Sequence, residues 1–403
     1  MLINGELVNA SHNAFFERCN PLSQEIATRA PAATAADATA AVDAASQAFP
    51  AWSAMGAGAR RALLTKAAHE LEARADAFAY AMAHETGASR VWASFNVHLG
   101  AGMLLEAAAG LPPGVVSFVT NAPADAGAVV EAMISHPAVR RVNFTGSTRV
   151  GRIIAETCAR HLKPAVLELG GKAPLLVLDD ADLDAAVATV AFGAFANFGK
   201  ICMSTERIVV DSSIADEFVA KLKTKAMSLP IGDPRDTAGG PKVLGLVVDR
   251  ATVDRCTAMV DDALAKGATL VCGGKSHSLI MPATVLDHVT PDMQIYSEES
   301  FGPVKPVVRV DGVDAAVACA NDNAYGLSAA VFGRDIARAW GLAQRIQSGI
   351  CHINGPTVHD EAQMRFGGVK DSGYGRFGGK AGIEAFTELR WITLQTTPRH
   401  YPF

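Results

Sequence analysis

Two side chains that can react at a carbonyl carbon lie near the ends of one stretch of sequence, residues 166–205. Glu168 stands in an apolar run that Gly170 and Gly171 end, so we predict it at the end of a strand. Cys202 follows a glycine in a short loop before the next β-rich run, at 207–210. A thiol in such a loop can act as a nucleophile, and a carboxylate near it can act as a base.

The elements that would position this pair follow from the residues between them. Residues 175–178 repeat the strand signal, and the acidic run 179–182 supplies N-cap chemistry for an alanine-rich helix that we predict to about Asn197. The pattern therefore predicts a strand, a helix, the nucleophile loop and a further strand, in that order.

Each of the two residues also has a less specific interpretation. A lone cysteine is more often a small buried side chain than a nucleophile, and a glutamate that ends a strand is usually solvated. We expect burial for the other six cysteines, which are Cys19, Cys158, Cys256, Cys272, Cys319 and Cys351. Taken one at a time, neither residue favours a catalytic role over these interpretations.

The sequence around both residues resembles two signatures of the NAD(P)-dependent aldehyde dehydrogenase superfamily, namely Leu167-Glu168-Leu169-Gly170-Gly171-Lys172 and the loop of Cys202. The resemblance implies that Cys202 is the thiolate that attacks the aldehyde and that Glu168 activates the hydrolytic water. It implies an α/β fold with a truncated Rossmann-like cofactor domain, an α/β catalytic domain and a short oligomerisation arm. The implied boundaries are 1–170, 171–365 and 366–403.

Two further motifs resemble cofactor-binding segments of the same family. From Gly114 onward, strands (115–119 and 139–144) alternate with helices, one at 125–135 and a second that the glycine turn at 145–151 opens and that continues to about His161. Such a helix start favours an anion, and the resemblance places Gly146 and Ser147 near the pyrophosphate of NAD, or of NADP. The segment 298–303 resembles the EExFGP motif, in which Glu299 holds the nicotinamide ribose and Phe301 packs near the ring.

The C-terminal part resembles the aromatic-aldehyde branch of the family, which includes salicylaldehyde and vanillin dehydrogenases, most clearly at 352–364. The implied reaction is oxidation of an aromatic aldehyde to its carboxylate. The segment 391–395 is predicted as a strand that pairs between subunits, which implies a homodimer or homotetramer, disrupted here if the cofactor domain is incomplete.

Three features depart from the family pattern. The helix predicted at 89–107 leads directly into 109–114, where a full-length relative carries more than two further βαβ units of about 30 residues each. No PWN segment, which supplies the oxyanion asparagine, is present. Lys200 stands where the family usually has glutamine or glutamate, and Arg365 stands where it usually has proline. Lys200 either lowers the thiol pKa of Cys202 or is a solvated loop charge.

Three functions therefore remain open from the sequence. They are a working dehydrogenase, a weakened remnant that binds cofactor poorly, and a thiol esterase that uses Cys202 and Glu168 without a nucleotide.

The remaining sequence predicts scaffold. Residues 2–30 read as strand-rich, and helices are predicted at 35–49, stopped by Pro50, and at 60–85. With 49% apolar and 19% charged residues the 403-residue chain is typical of a globular enzyme, and a net charge of -5 argues against nucleic acid as partner. No signal peptide or membrane segment is indicated, so a cytoplasmic protein is expected. Seven cysteines without a CxxC or zinc-like cluster predict reduced thiols and no metal site.

Overall fold

The structure, a computed structural model, describes residues 1–107, 112–236, 240 and 242–403, with the backbone alone for 102–107. The strands are β1 (Leu2–Ile3), β2 (Glu6–Leu7), β3 (Phe15–Cys19), β4 (Ile26–Pro31), β5 (Val142–Thr145), β6 (Ala165–Glu168), β7 (Pro174–Val177), β8 (Arg207–Asp211), β9 (Thr269–Cys272), β10 (Thr284–Asp287), β11 (Val304–Val310), β12 (Tyr325–Gly326), β13 (Ser328–Phe332), β14 (Ile350–Ile353), β15 (Val369–Lys370) and β16 (Gly373–Tyr374). The helices are α1 (Ala35–Ala54), α2 (Ala57–Ala73), α3 (Ala75–Thr86), α4 (Arg90–Ala107), α5 (Ala126–Ser135), α6 (Thr148–Arg160), α7 (Leu183–Phe195), α8 (Ala215–Met227), α9 (Arg250–Ala265), α10 (Gln294–Ser297), α11 (Gly312–Asn321), α12 (Ile336–Ala343) and α13 (Gly379–Ala385).

A seven-stranded sheet forms the larger of the two main layers. Its order is β14-β13-β7-β8-β11-β10-β9, and its neighbours run parallel except β9 with β10. On β7, Leu176 packs in one core while Leu175 and Val177 pack in the opposite one, because successive strand residues face opposite sides. Helices α9, α11 and α12 contribute to the first core, and α7 and α8 to the second. Both faces are thus covered, as in other parallel sheets.

A second, three-stranded sheet carries the end of the Glu168 strand. Its order is β16-β6-β5, with β5 and β6 parallel and β16 antiparallel to β6. Its core is small and is formed by Ile134, Ile154, Cys158, Leu167 and Leu169. Residues 169–173 connect this sheet directly to β7. The implied division at 170 and 365 is compatible with this layout and stays a prediction.

The helical predictions for the N-terminal part needed two corrections. Helix α1 does not stop at Pro50 but continues to Ala54, because a proline removes a single backbone hydrogen bond and the last turn closes from Met55 N–H to Trp52 O. The helix predicted over 60–85 is two helices, α2 and α3, that meet at Arg74, where the backbone leaves helical geometry (φ -105°, ψ 14°). The strand-rich start is confirmed by β1–β4.

Two predicted strands do not form. At 115–119 the chain meets Leu2 at one point only, where Phe118 and Leu2 exchange two backbone hydrogen bonds of 2.8 Å, so no ladder develops. Residues 391–395 are exposed, and they have no pairing strand within the described chain; Trp391 is 91% exposed. A strand that pairs between subunits needs the edge of a second chain, so the pairing implied for this segment stays a prediction. None of the helices described above is long and apolar enough to cross a membrane.

Candidate active site

A strained turn presents Cys202. After α7, Asn197, Phe198 and Gly199 follow one another with positive φ angles of 45°, 63° and 72°. A Cβ on Gly199 would lie 2.4 Å from the carbonyl oxygen of Gly302, so only glycine fits at that position. Two non-glycine residues in left-handed conformation cost free energy that surrounding contacts must supply, and such strain concentrates at functional sites.

The Cys202 thiol is half-buried in a mainly apolar environment. A cluster of buried and half-buried side chains surrounds the loop: Trp92, Ala196, Ile201, Met203, Leu327, Val358 and Phe366. Burial raises the pKa of the thiol to about 12, and the carboxylates of Glu168 and Glu299 add to that shift. Three residues singled out in the sequence, Cys202, Glu168 and Glu299, are therefore close enough to interact electrostatically.

Glu168 ends β6, as predicted, but it is not solvated. It is 3% exposed, and neither of its carboxylate oxygens has a hydrogen bond of ordinary geometry with a residue that the structure describes, although the backbone N–H of Gly368 lies near enough to lower its pKa. Burial raises its pKa to about 7, although the charge of Arg376 opposes the shift. A Cβ on Gly367 would lie 2.9 Å from Oε1, so the glycine-rich C-terminal segment approaches this carboxylate closely. Buried carboxylates without partners are rare in folded proteins, and a perturbed pKa is a frequent property of catalytic groups.

Glu299 lies near the same site, in the loop between α10 and β11 of the seven-stranded sheet. Its Oε1 accepts a hydrogen bond of 3.0 Å from the Gly171 N–H. Burial raises the pKa of Glu299 to about 7, while that same hydrogen bond from Gly171 lowers it. A Cβ on Gly170 would lie 2.8 Å from Oε2, and one on Gly171 would lie 2.6 Å from the Cys202 carbonyl oxygen. The two glycines thus allow the turn after Glu168 to pass between the acidic loop, residues 298–303, and the loop of Cys202.

The glycine turn at 146 lies at the carboxyl end of β5 and is exposed. Gly146 N–H donates to the carbonyl oxygen of Glu168 at 3.0 Å, and Ser147 caps α6 by accepting from Val150 N–H. Thr148 and Arg149 have backbone N–H groups without a hydrogen-bond partner in the described structure. These two groups, with Ser147, are the ones oriented to meet an anion. Phe301 has a left-handed backbone, with φ of 45°, and is half-buried.

Three charged residues that the sequence reasoning did not single out as site residues are fully buried beside the Glu299 loop: Lys172, Glu206 and Lys305. The signal for them was charge inside apolar runs, since Lys305 interrupts the hydrophobic strand β11. Their contacts are described further below.

Two sequence interpretations need correction here. Lys200 is not a solvated charge, because it is half-buried, lies over the Phe198 ring at 4.8 Å and donates to the carbonyl oxygen of Thr86 at 3.2 Å. Burial lowers its pKa to about 8. Of the six other cysteines, Cys19 is exposed rather than buried, because it ends the edge strand β3 at the surface, and Cys351 is half-buried.

Comparison with known proteins finds relatives with this architecture. The aldehyde dehydrogenase family model matches residues 7–108 and 101–392. The chain belongs to the aldehyde dehydrogenase family. It is 50% identical to a vanillin dehydrogenase of Pseudomonas fluorescens and 41% identical to a salicylaldehyde dehydrogenase of Pseudomonas sp. strain C18, covering 100% of this chain and 99% of each relative. The crystal structure of a salicylaldehyde dehydrogenase from Pseudomonas putida G7 complexed with salicylaldehyde superposes with a TM-score of 0.97 at 41% identity, over 100% of this chain and 99% of that one.

The alignments with the two relatives span 480 and 481 positions, against the 403 residues of this member of the family. The two family matches meet near 101–108, which is where the sequence analysis expects a missing segment. That junction lies partly outside the described residues, and the missing segment stays a prediction. The α/β aldehyde dehydrogenase fold is confirmed over the whole length of the chain.

Proposed function

We propose that this member of the aldehyde dehydrogenase family oxidises an aromatic aldehyde to its carboxylate with a nicotinamide cofactor, and that Cys202 and Glu168 carry the reaction. One observation supports the pair most directly. The buried Glu168 carboxyl group has no hydrogen bond of ordinary geometry with a described residue, has a pKa of about 7, and acts electrostatically on the Cys202 thiol. This is the arrangement expected of a base held ready beside a nucleophile.

The chemistry assigns each group a step. The Cys202 thiolate adds to the aldehyde carbon, and the oxyanion that forms collapses as hydride leaves, which gives a thioester on Cys202. Ionised Glu168 then takes a proton from water, the hydroxide adds to the thioester carbon, and the thiolate leaves with release of the carboxylate. A base with a pKa near 7 is half-ionised at neutral pH, so it can accept this proton and lose it again between turnovers.

The residues present suit a nicotinamide cofactor, which when bound supplies the hydride acceptor. Glu299 has one oxygen, Oε2, that receives no hydrogen bond in the described structure and can therefore accept from a ribose hydroxyl. Ser147 and the unpaired N–H groups at the start of α6 suit a pyrophosphate. NAD is the proposed cofactor, with NADP as the alternative that the assay below distinguishes.

The apolar surroundings of Cys202 support an aromatic substrate. Trp92 and Phe366 pack against the cluster that holds Ile201, Met203 and Val358 next to the thiol. An aromatic ring gains free energy by leaving water for such a setting, and ring contacts add to the gain. The names of the two relatives, vanillin and salicylaldehyde dehydrogenase, suggest the two aldehydes to test first.

A homodimer or homotetramer in the cytoplasm completes the proposal. The exposed apolar side chains of the C-terminal segment, Leu389, Trp391 and Leu394, support a role of that segment as an arm that packs on a second subunit.

The assay compares salicylaldehyde, vanillin and an aliphatic aldehyde with NAD+ and with NADP+. We expect aromatic substrates to have the higher kcat/KM. Cys202→Ala should abolish turnover, while Cys351→Ala, the control at the other half-buried thiol, should leave it unchanged. Oxidation that survives in Cys202→Ala would refute the nucleophile, and ester cleavage without cofactor in place of oxidation would identify the esterase.

Glu168→Gln tests the base separately. Because acylation needs only the thiolate while deacylation needs a base for water, we expect the thioester to accumulate on Cys202 and kcat to fall by roughly 10²- to 10⁴-fold. Intact-protein mass spectrometry after mixing with aldehyde and cofactor detects that adduct. Undiminished turnover without any trapped acyl group would remove Glu168 from the mechanism.

A further inference from the structure

The carboxylate of Glu206 is the centre of a fully buried hydrogen-bond network. Its Oε1 accepts from Lys305 Nζ at 2.5 Å and from Ser300 Oγ at 2.7 Å. Its Oε2 accepts from Lys172 Nζ at 3.0 Å and from the Ser300 N–H at 2.8 Å. Four hydrogen bonds fill the acceptor capacity of a carboxylate. No acceptor position of Glu206 is left for a ligand, so its role must be exerted through the residues that it holds.

Those residues lie on both sides of Glu299. On one side, Lys172 Nζ donates to the Glu298 carbonyl oxygen at 2.6 Å, and on the other, Glu206 binds both the backbone and the hydroxyl of Ser300. Arg207, which follows Glu206 and begins β8, donates to the Tyr296 carbonyl oxygen at 3.1 Å. The segment 296–300 is therefore fixed at three points around Glu299.

The network also connects this segment to the nucleophile. Glu206 follows Cys202 by four residues in the chain, and Lys172 follows Gly171, whose N–H binds the Glu299 carboxylate. One buried carboxylate thus sets the spacing among the nucleophile loop, the glycine turn and the acidic loop. Since Glu299 and Glu168 both act on the Cys202 thiol, a shift of this segment would change the geometry where cofactor and aldehyde meet.

The charges indicate that the network does more than stabilise the fold. Burial alone would raise the pKa of Glu206, but the charges of Lys305 and Lys172 outweigh it and lower the pKa. Burial lowers the pKa of Lys172 against the opposing charge of Glu206. Two ammonium groups and one carboxylate, all removed from water, are costly to bury, and apolar residues of similar size would often stabilise a core as well or better. Such a network is expected where a fixed geometry matters.

We propose that Glu206 is a positioning residue for the cofactor: by holding Ser300 and Lys172 it fixes the Glu299 carboxylate at the place where the nicotinamide ribose binds. This inference rests on the proposed role of Glu299, and Glu206 itself touches neither cofactor nor substrate.

The first test compares Glu206→Gln with Asp287→Asn in the full chain. Asp287 is another buried carboxylate of the seven-stranded sheet, paired with Arg309 at 2.7 Å, and in the described structure it forms no hydrogen bond with segment 296–300. We expect Glu206→Gln to raise the KM for the cofactor by about 10-fold or more, as for a lost charged hydrogen bond, with a smaller change in kcat and in the KM for aldehyde. Asp287→Asn should leave all three parameters at wild-type values. Equal cofactor KM values in wild type and Glu206→Gln would overturn the inference, while Cys202→Ala reports separately on the proposed reaction.

The second test needs no activity. Hydrogen–deuterium exchange of the peptide that contains residues 296–300 should be faster in Glu206→Gln than in wild type and Asp287→Asn, because the Ser300 N–H loses its carboxylate acceptor. Ser300→Ala keeps every charge and removes one hydroxyl, so it serves as the milder variant if Glu206→Gln does not fold, and we expect a partial increase in exchange and in cofactor KM. Wild-type exchange in this peptide for the variants that fold would overturn the inference even if the enzyme showed no turnover.

Discussion

The two main sheets of this protein differ in how completely they are covered. All four residues of β7 are buried, and the seven-stranded sheet lies between two large cores. Residues of β5 alternate between half-buried and exposed, β5 is an edge strand, and the core packed against the three-stranded sheet contains only five buried apolar residues among those that the structure describes. The candidate site is assembled across this boundary, with Cys202 and Glu299 on the well-packed side and Glu168 and Ser147 on the other. The proposed reaction would therefore depend on a region with fewer buried apolar contacts.

The largest expected effect tests that difference with a matched pair of substitutions. Leu175 on β7 and Leu167 on β6 are 0% and 2% exposed, so the same atoms are removed from both sites. We expect Leu175→Ala to lower the free energy of unfolding by about 4 kcal/mol and Leu167→Ala by about 2 kcal/mol, because a thinly covered site can collapse around the cavity. Urea denaturation measures both values.

Activity sharpens the same comparison. Because Glu168 follows Leu167 directly, Leu167→Ala should reduce kcat more than Leu175→Ala does in spite of its smaller cost in stability. Equal losses of stability, or a larger kcat effect from Leu175→Ala, would contradict the view that the three-stranded sheet is the weaker support.

An effect of intermediate size is expected from the buried base. Since the folded-state pKa of Glu168 is raised to about 7, the folded state binds the proton more tightly than the unfolded chain, and stability falls as the pH rises from about 4.5 to about 7. Glu168→Gln is neutral throughout, so above pH 7 it should be more stable than wild type by about 3 to 4 kcal/mol, at about 1.4 kcal/mol per pKa unit. The two proteins should converge near pH 4.

Denaturation midpoints at pH 4, 6 and 8 provide the measurement for that variant, with Asp287→Asn as control. Asp287 is paired with Arg309, so its substitution should destabilise at pH 8 instead. A wild type that is as stable as Glu168→Gln at pH 8 would show that the Glu168 carboxylate is better solvated than its burial indicates.

The sequence predicted the local secondary structure of the site better than the long-range contacts that hold the site in place. The end of a strand at Glu168 followed from Gly170 and Gly171, and the helix before the Cys202 loop followed from the acidic run 179–182; both elements are observed, and the structure identifies Asp182 as the cap. The strand predicted at 115–119 failed because strand propensity cannot specify a pairing partner. The Glu206 network escaped notice because its members are far apart in the chain, and only folding brings Lys172, Glu206 and Lys305 within hydrogen-bonding distance.

The smallest expected effect concerns Lys200, for which the sequence left two roles open. In the structure its ammonium group faces the Thr86 carbonyl oxygen and the Phe198 ring, whereas the charges that act on the Cys202 thiol are carboxylates. Alkylation by iodoacetamide, followed by peptide mass spectrometry, reports on the thiolate fraction, and the exposed Cys19 provides an internal reference in the same molecule.

We expect Cys202 to react more slowly than Cys19 in the cofactor-free protein, because burial and two neighbouring carboxylates favour its protonated form. Glu299→Gln removes one of these charges and should increase the rate at Cys202 relative to Cys19, while Lys200→Gln should change that ratio by less than about twofold, as expected for a cation that does not face the thiol. If alkylation of Cys202 alone became several-fold slower in Lys200→Gln, Lys200 would be assigned to thiolate stabilisation. The reactivity of Cys202 would then depend on the contact of Lys200 with Thr86 of α3 as well as on the boundary between the two sheets.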